Sequence, residues 1–206
     1  MKDDGKSKWV GRWAGRTVVC VASGPSLTAE DCERIHAAGL PAIAVNLSFR
    51  RAPWADVLFA MDARWWQEYR AEVDKTFRGE RMTTVATGRR HGAQTTYGST
   101  WYRSMGNSGA GAISLAVAGG AARIILLGFD GQKTGGRIHW HDDYPEPMSN
   151  AISMKMWPGK FAKAAAYAKR CGSVVVNCSR ETALTCFERG DLDQELGLVS
   201  IPELAA

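Results

Sequence analysis

The chain has no hydrophobic run long enough to cross a membrane, and no cysteine pattern typical of a disulfide framework or a zinc site. Every apolar stretch is much shorter than the roughly 20 residues of a membrane helix, so no membrane partner is expected. The five cysteines form an odd set without any C-x-x-C pair, which favours reduced thiols. The polar first residues do not resemble a signal peptide. Together these absences predict a cytoplasmic protein.

Two common nucleotide-binding fingerprints are also absent. The pattern G-x-G-x-x-G does not follow the first predicted strand, and G-x-x-x-x-G-K-[ST] does not occur. Their absence excludes a standard NAD-binding domain and a P-loop enzyme. The 206 residues, of which 45% are hydrophobic and 23% charged, are nevertheless enough to bury the core of one globular domain.

Short apolar runs of strand length alternate with segments of helical pattern along the chain. This alternation predicts a mostly parallel sheet with helices on both faces, in a single-domain, Rossmann-like α/β fold. The domain is expected to span residues 17–206, with a helix over 151–171, a short helical turn over 179–184 and a peripheral tail from residue 190. The predicted strands cover residues 17–22, 41–45, 56–61, 81–86, 123–127 and 174–177.

Residues 1–16 differ from the rest in being polar and rich in Lys and Arg, with Trp9 and Trp13 interleaved. A flexible arm is the expectation for such a terminus. Contact with nucleic acid is the alternative, and the net charge of +5 is compatible with it. The sequence leaves the oligomeric state open, a homo-oligomer included.

The segment 106–111, which reads G-N-S-G-A-G, is the strongest candidate for a ligand-binding element. Asn107 or Ser108 is a good helix N-cap, and Gly109 keeps the backbone bare where the helix begins. The first N–H groups of a helix have no partners inside the helix, and the helix dipole favours an anion in front of them. The segment therefore predicts a phosphate site, with Asn107, Ser108 and Gly109 as binding residues.

Polar residues also follow the other predicted strands. Because the carboxyl ends of parallel strands meet at one edge of a sheet, these residues are expected to share a cleft, where α/β folds bind their ligands. A Gly-Pro-Ser turn between a strand and a helix makes a phosphate-sized cradle, although a plain structural turn is an equal alternative. The residues concerned are Ser23, Gly24, Pro25 and Ser26 after the first strand, Asn46 after the second, Asp62 after the third and Asp130 after residues 123–127.

The loop over 131–150 contains the pattern H-W-H-D-D at residues 139–143. On an extended segment His139 and His141 face the same way, and either is suited to act as a general base near neutral pH. Asp142 and Asp143 follow directly and offer metal ligands, although the spacing fits no standard zinc site. Catalysis and metal binding are both open at this point.

The polar segment 87–105 is unusually long for a connection in a compact domain. It mixes arginines with aromatic residues, a combination that suits an anionic or cyclic ligand. A solvated insertion is the equal alternative.

Several of these motifs resemble a known superfamily. Residues 21–27, V-A-S-G-P-S-L, are similar to the G-x-G-P-S-L opening of bacterial CMP-sialic-acid sialyltransferases and of archaeal-type 6-hydroxymethylpterin diphosphokinases. Residues 107–109 and the block ending I-I-L-L-G-F-D at Asp130 resemble a later motif of the sialyltransferases, and Asn46 matches their Asn after the second strand. The whole chain looks most like small phage and prophage proteins of this superfamily that carry morphogenetic labels, which would imply the host cytoplasm.

The resemblance implies a nucleotide or nucleotide-sugar ligand held by Ser23, Gly24, Pro25, Ser26, Asn46, Asn107, Ser108 and Gly109. In the sialyltransferases a loop histidine deprotonates the acceptor, a role that maps onto His139 or His141, without a metal. In the diphosphokinases acidic residues hold Mg²⁺, a role open to Asp62, Asp130, Asp142 or Asp143. The chain lacks both the acceptor-binding lid of the first family and the D-x-D-G motif of the second.

Three functions follow as hypotheses. The first is a nucleotide-dependent glycosyltransferase that uses a loop histidine as base, with His141, His139 and Asp130 as its catalytic residues. The second is Mg²⁺-dependent diphosphoryl transfer from ATP. The third is a phage assembly factor or nucleotide sensor that keeps the fold without the chemistry.

Overall fold

A single eight-stranded sheet, parallel throughout, organises the described part of the chain. The computed structural model describes residues 8–142, 144–145 and 153–198. The strand order is β5-β4-β3-β2-β1-β6-β7-β8, so the chain runs outward in one direction from β1 and then restarts beside β1 with β6. The strands are β1 (Thr17–Val21), β2 (Ala42–Val45), β3 (Val57–Phe59), β4 (Glu80–Thr83), β5 (Gln94–Thr95), β6 (Arg123–Leu127), β7 (Val174–Asn177) and β8 (Glu188–Arg189).

Helices cover both faces of this sheet, so the chain has the Rossmann-like α/β fold that the sequence predicts. They are α1 (Ala29–Ala37), α2 (Ala63–Thr76), α3 (Ser108–Ala118), α4 (Trp157–Arg170) and α5 (Leu192–Glu195), with 3₁₀ turns at Asn46–Arg50, Gly88–His91 and Met154–Met156. None of the helices in the described ranges is long and apolar enough to span a membrane.

Alternate residues of β1 point to opposite faces and enter two separate cores. Val18 and Cys20 pack in one core with the apolar residues of α3 and α4. Val19 and Val21 pack in the other with residues of α1 and α2. Both faces of the central strands are therefore buried, which explains their nearly continuous apolar sequences.

Residues 8–16 are packed on the domain, in contrast to the flexible arm expected for residues 1–16. Trp9 and Trp13 are only 2% and 3% exposed and belong to the core beneath α3. The indole N–H of Trp9 donates to the carbonyl of Leu115 at 3.0 Å, and Arg12 lies over both indole rings. Burial of two large aromatic rings holds the segment in place, so the expectation is corrected for these residues.

The helical turn expected over residues 179–184 is also wrong, because the segment makes hydrogen bonds to the exit of β6 and has no helical backbone. The hydroxyl of Ser179 accepts from the backbone N–H of Phe129 at 2.7 Å. The hydroxyl of Thr182 donates to the Phe129 carbonyl at 2.7 Å. The N–H of Ala183 donates to the Asp130 carbonyl at 2.7 Å. With these bonds in place the segment is irregular, with bends at residues 180 and 181, and forms no helical turn.

Candidate functional site

A cavity of about 320 Å³ opens at the carboxyl ends of β1 and β6. This is the point where the strand order reverses, the place at which open α/β sheets bind their ligands. Most of the residues predicted from strand ends meet there. The lining includes Ser23, Gly24, Asn46, Asp62, Asn107, Ser108, Gly109, Asp130 and His139.

The loop after β1 is held by Asp130, which is 1% exposed. One carboxylate oxygen accepts from the Ser26 hydroxyl at 2.6 Å, and the other accepts from the Ser26 N–H at 2.9 Å and from the Thr134 hydroxyl at 3.0 Å. Burial raises the pKa of Asp130, although the bonds from Ser26 and Thr134 oppose the rise. Asp130, predicted as catalytic, thus has both oxygens bonded to the polypeptide and fixes the shape of the loop.

Gly24 is required by the close approach of two chain segments. A Cβ at this position would overlap Oδ1 of Asp130 and lie 2.5 Å from the carbonyl oxygen of Gly128. The N–H of Gly24 donates to that carbonyl at 2.8 Å, which draws the loop against the end of β6. Ser23 and the bare backbone of Gly24 therefore form one wall of the cavity.

The N-terminus of α3 forms the opposite wall. Asn107 is the N-cap, and its side-chain oxygen accepts from the N–H of Ala110 at 2.7 Å. Ser108 bonds the N–H of Met61 through its hydroxyl at 3.3 Å, which ties the helix to the end of β3. A Cβ on Gly109 would meet Phe129 and Phe161 at 3.2 Å, so a glycine fits where the aromatic rings close in. The other N–H groups of the first turn have no partner inside the helix, and an anion in front of the helix can accept from them.

His139 is the histidine that lines the cavity. Its Nδ1 lies 2.9 Å from the hydroxyl of Ser23. Burial lowers the pKa of His139 to about 4, against a smaller opposing effect of the Ser23 backbone, so the ring is neutral at pH 7. In a neutral imidazole one ring nitrogen carries the proton and the other is an acceptor.

His141 stands behind His139 rather than beside the cavity. The two rings stack with centroids 5.2 Å apart and planes 4° apart, as expected for residues two apart on an extended segment. Tyr144 packs edge-on against both rings, and the side chains of Asn46 and Trp65 lie near its hydroxyl. The stack fixes the orientation of the His139 ring.

Asp62 and Lys160 bring opposite charges to the cavity. Asp62 stands at the N-cap position of α2, but its side chain makes no capping hydrogen bond and contributes to the lining instead. Burial raises the pKa of Asp62, and the nearby charge of Lys160 opposes the rise. The ammonium of Lys160 donates to the Gly106 carbonyl at 2.6 Å, which places a cation beside the N-terminus of α3.

The remaining predicted residues lie away from the lining. Within the described ranges, Pro25, Ser26, His141 and Asp142 are not part of it. Asp142 is exposed and pairs with Arg137 at 2.8 Å. No group of three or more His, Cys, Asp or Glu side chains suited to a metal ion occurs among the described residues, and Asp143, the other predicted metal ligand, lies outside them.

Sequence reasoning missed the contribution of α4 and the segment before it. Ser153, Trp157, Lys160 and Phe161 line the cavity although they lie more than 40 residues beyond Asn107 along the chain. Nothing in the local pattern around Lys160 distinguishes it from the other lysines of an amphipathic helix. Only the packing of α4 against α3 brings it to the site.

No family model matches the chain, and no curated protein matches it significantly. Among solved structures, the chain is similar to UDP-N-acetylglucosamine 4-epimerase from Bacillus cereus, with 10% identity and a TM-score of 0.28. The match covers 79% of this chain and 59% of that one. A likeness this weak assigns no activity to the chain.

Proposed function

We propose that the protein binds a nucleotide in the cavity between β1 and β6 and transfers the group that the nucleotide carries, most simply a sugar, to an acceptor hydroxyl. The single observation that supports this best is the arrangement around the cavity. A helix N-terminus, a bare glycine loop and a lysine face one space, and a neutral histidine opens into the same space.

The anionic part of the ligand belongs between α3 and Lys160. The first N–H groups of α3 supply hydrogen-bond donors and a partial positive charge. Lys160 adds a full charge from α4, close enough to the helix start to bond the carbonyl of Gly106. Donors fixed before the reaction stabilise the charge that develops on a leaving phosphate.

His139 is the proposed general base. The acceptor oxygen forms a bond to the anomeric carbon while the bond from that carbon to the donor's phosphate oxygen breaks, and the electron pair leaves on the phosphate. The acceptor proton passes to His139. A bound phosphate raises the pKa of a nearby imidazole, because the negative charge favours the protonated ring. The ligand would thereby move the low pKa of His139 toward the range in which general bases are efficient.

Mg²⁺-dependent diphosphoryl transfer is the second candidate, favoured by one observation. Asp62 presents a carboxylate to the cavity without a capping bond, as a metal ligand would. The other predicted ligands in the described ranges are committed elsewhere, Asp130 to Ser26 and Asp142 to Arg137. The sugar-transfer proposal is therefore preferred.

A thermal-shift panel separates these alternatives. The native protein is incubated with CMP, CTP, UDP-sugars, ATP and GTP, each with Mg²⁺ and with EDTA, because a ligand that binds only the folded state raises its stability. We expect stabilisation by a nucleoside mono- or diphosphate in EDTA. A shift confined to a triphosphate with Mg²⁺ would indicate diphosphoryl transfer. No shift with any nucleotide would favour the third hypothesis, a phage assembly factor that keeps the fold without the chemistry.

Substitutions test the assigned residues. Lys160→Met should weaken binding of the stabilising nucleotide roughly 10- to 100-fold, because a hydrogen bond to a charged group is lost. Lys163→Met, on the exposed side of the same helix, is the matched control and should bind the nucleotide as the native protein does.

His139→Ala should keep the affinity for the nucleotide and lower turnover roughly 10²- to 10⁴-fold. Full turnover in this variant would contradict the base assignment.

A further inference from the structure

A second cavity, of about 760 Å³, lies at the β5 edge of the sheet and shares no lining residue with the first. It is formed by the segment that follows the Gly88–His91 turn, together with the packed N-terminal residues. Its lining combines aromatic rings with cations, namely Trp9, Tyr97 and Trp101 with Lys8 and Arg89.

The aromatic residues are presented on ordered backbone. Tyr97 is 70% exposed. Its backbone N–H donates to the Thr95 hydroxyl at 3.0 Å, and that hydroxyl donates to the Val85 carbonyl at 2.7 Å. Trp101 stacks on Trp9 with centroids 6.2 Å apart and planes 21° apart. The exposed ring of Tyr97, on backbone that is hydrogen-bonded to Thr95, offers a flat face to a partner.

The charged side chains that line this cavity, Lys8 and Arg89, are both positive. No carboxylate belongs to the lining among the described residues. Arg89 is exposed and makes no ion pair within the described ranges. Lys8 is 71% exposed and lies 3.8 Å from Glu80, which already bonds Arg12 at 2.7 Å and Gln94 at 3.2 Å. Both cations can therefore meet an anionic partner.

We propose that this cavity is a binding surface for single-stranded nucleic acid. An exposed aromatic ring stacks on a base of any identity, and neighbouring cations neutralise the phosphates on either side of it. Tyr97 is the stacking residue, Arg89 and Lys8 contact phosphate, and the Trp9–Trp101 pair supports the floor. The proposal rests on this cavity alone and is independent of the nucleotide site.

The test is fluorescence anisotropy with a labelled thymidine oligonucleotide, titrated at several salt concentrations. Tyr97→Ala should weaken binding roughly tenfold, and Tyr97→Phe should restore it, because stacking needs the ring and not the hydroxyl. Arg89→Ala should reduce the slope of log K against log salt by about 0.7, the value for one phosphate contact on a single strand. Both residues are exposed, so the urea midpoint should stay unchanged.

Two controls separate stacking from general charge attraction. Lys169→Ala removes an exposed cation of α4 that does not line the cavity, and it should leave oligonucleotide binding within a factor of two of the native value. Inorganic polyphosphate has no bases, so its affinity should be the same for Tyr97→Ala and the native protein. Absence of oligonucleotide binding at low salt, or equal losses in Arg89→Ala and Lys169→Ala, would overturn the proposal.

Discussion

Gly24 shows how one residue sets the shape of the nucleotide cavity. Its backbone lies against the carboxylate of Asp130 and the carbonyl of Gly128, so the loop after β1 packs directly on the exit of β6. Gly128 itself adopts a φ of +69°, and a Cβ there would overlap the carbonyl of Ala22. The glycines thus permit the two strand ends to close on each other.

We therefore expect Gly24→Ala to lower the free energy of unfolding by more than about 2 kcal/mol, because a methyl group must displace backbone and a buried carboxylate. Urea denaturation measures the change. Gly159→Ala is the matched control: it lies near the start of α4 with nothing within 4 Å of the added Cβ. That variant should be unchanged or up to about 1 kcal/mol more stable. Equal effects of the two substitutions would contradict the steric argument.

Because burial lowers the pKa of His139, we expect the stability of the protein to depend on pH. This pKa is about 4 in the folded protein and near 6.5 in an unfolded chain, so the unfolded state binds the proton more readily between these values. The stability from the neutral, buried ring is fully present above pH 6.5 and is lost as the pH falls toward 4. Over this range the loss amounts to at most about 3 kcal/mol.

His139→Asn removes the titrating group and should flatten this part of the profile. The measurement is the free energy of unfolding in urea at pH 7 and at pH 4.5, for both proteins. Asp62 and Asp130, whose pKa values are raised by burial, contribute in the opposite direction but are present in both proteins. An identical fall in the native protein and the variant would show that His139 is not the group responsible.

At the scale of elements, the sequence predicts best what is buried on both faces. β1, β2 and β6 read as apolar runs because neighbouring strands and helices cover them. β7 also reads as an apolar run, although Val174 at its start is 46% exposed. Each of these four strands lies within two residues of its predicted bounds. β5 and β8 were missed, since Gln94–Thr95 and Glu188–Arg189 are two-residue polar strands at the sheet edges. Their pairing depends on β4 and β7 being in place and not on their own residues. The buried start of α5 was likewise missed in the predicted peripheral tail, where Leu192 enters the core.

Two helix caps of similar chemistry allow the role of α3 to be isolated. Asn107 caps α3 at the cavity. Thr28 caps α1 by accepting from the N–H of Asp31, and the N–H of Thr28 donates to the Asp31 carboxylate in return. Asn107→Ala and Thr28→Ala should each cost about 1 kcal/mol of stability, because each leaves a helix N–H without its side-chain acceptor. Only Asn107→Ala should also weaken binding of the nucleotide that the thermal-shift panel identifies. Calorimetric titration measures this affinity. Equal affinity in the two variants would count against α3 as the anion site.

At the scale of the whole molecule, the cavity is built from segments that meet only after folding. Strand-end residues such as Asn46 and Asp62 could be predicted, because a parallel sheet brings its carboxyl ends to one edge. Lys160 could not, because its position depends on how α4 packs against α3. The choice between His139 and His141 was also open in the sequence. It depends on which ring the loop turns toward Ser23, and the structure places His139 there.

Trp9 and Trp13 close the core on the α3 side, so we expect substitutions there to lower the stability of the whole domain. Trp9→Ala should lower the free energy of unfolding by about 3–5 kcal/mol, because it removes a buried indole and its bond to the Leu115 carbonyl. Val10→Ala, next in the chain and 51% exposed, should change it by less than about 0.5 kcal/mol. Urea denaturation of both variants gives the comparison. If Trp9→Ala unfolds at the native urea midpoint, residues 8–16 are a flexible arm that does not stabilise the core, because removal of a core ring lowers stability.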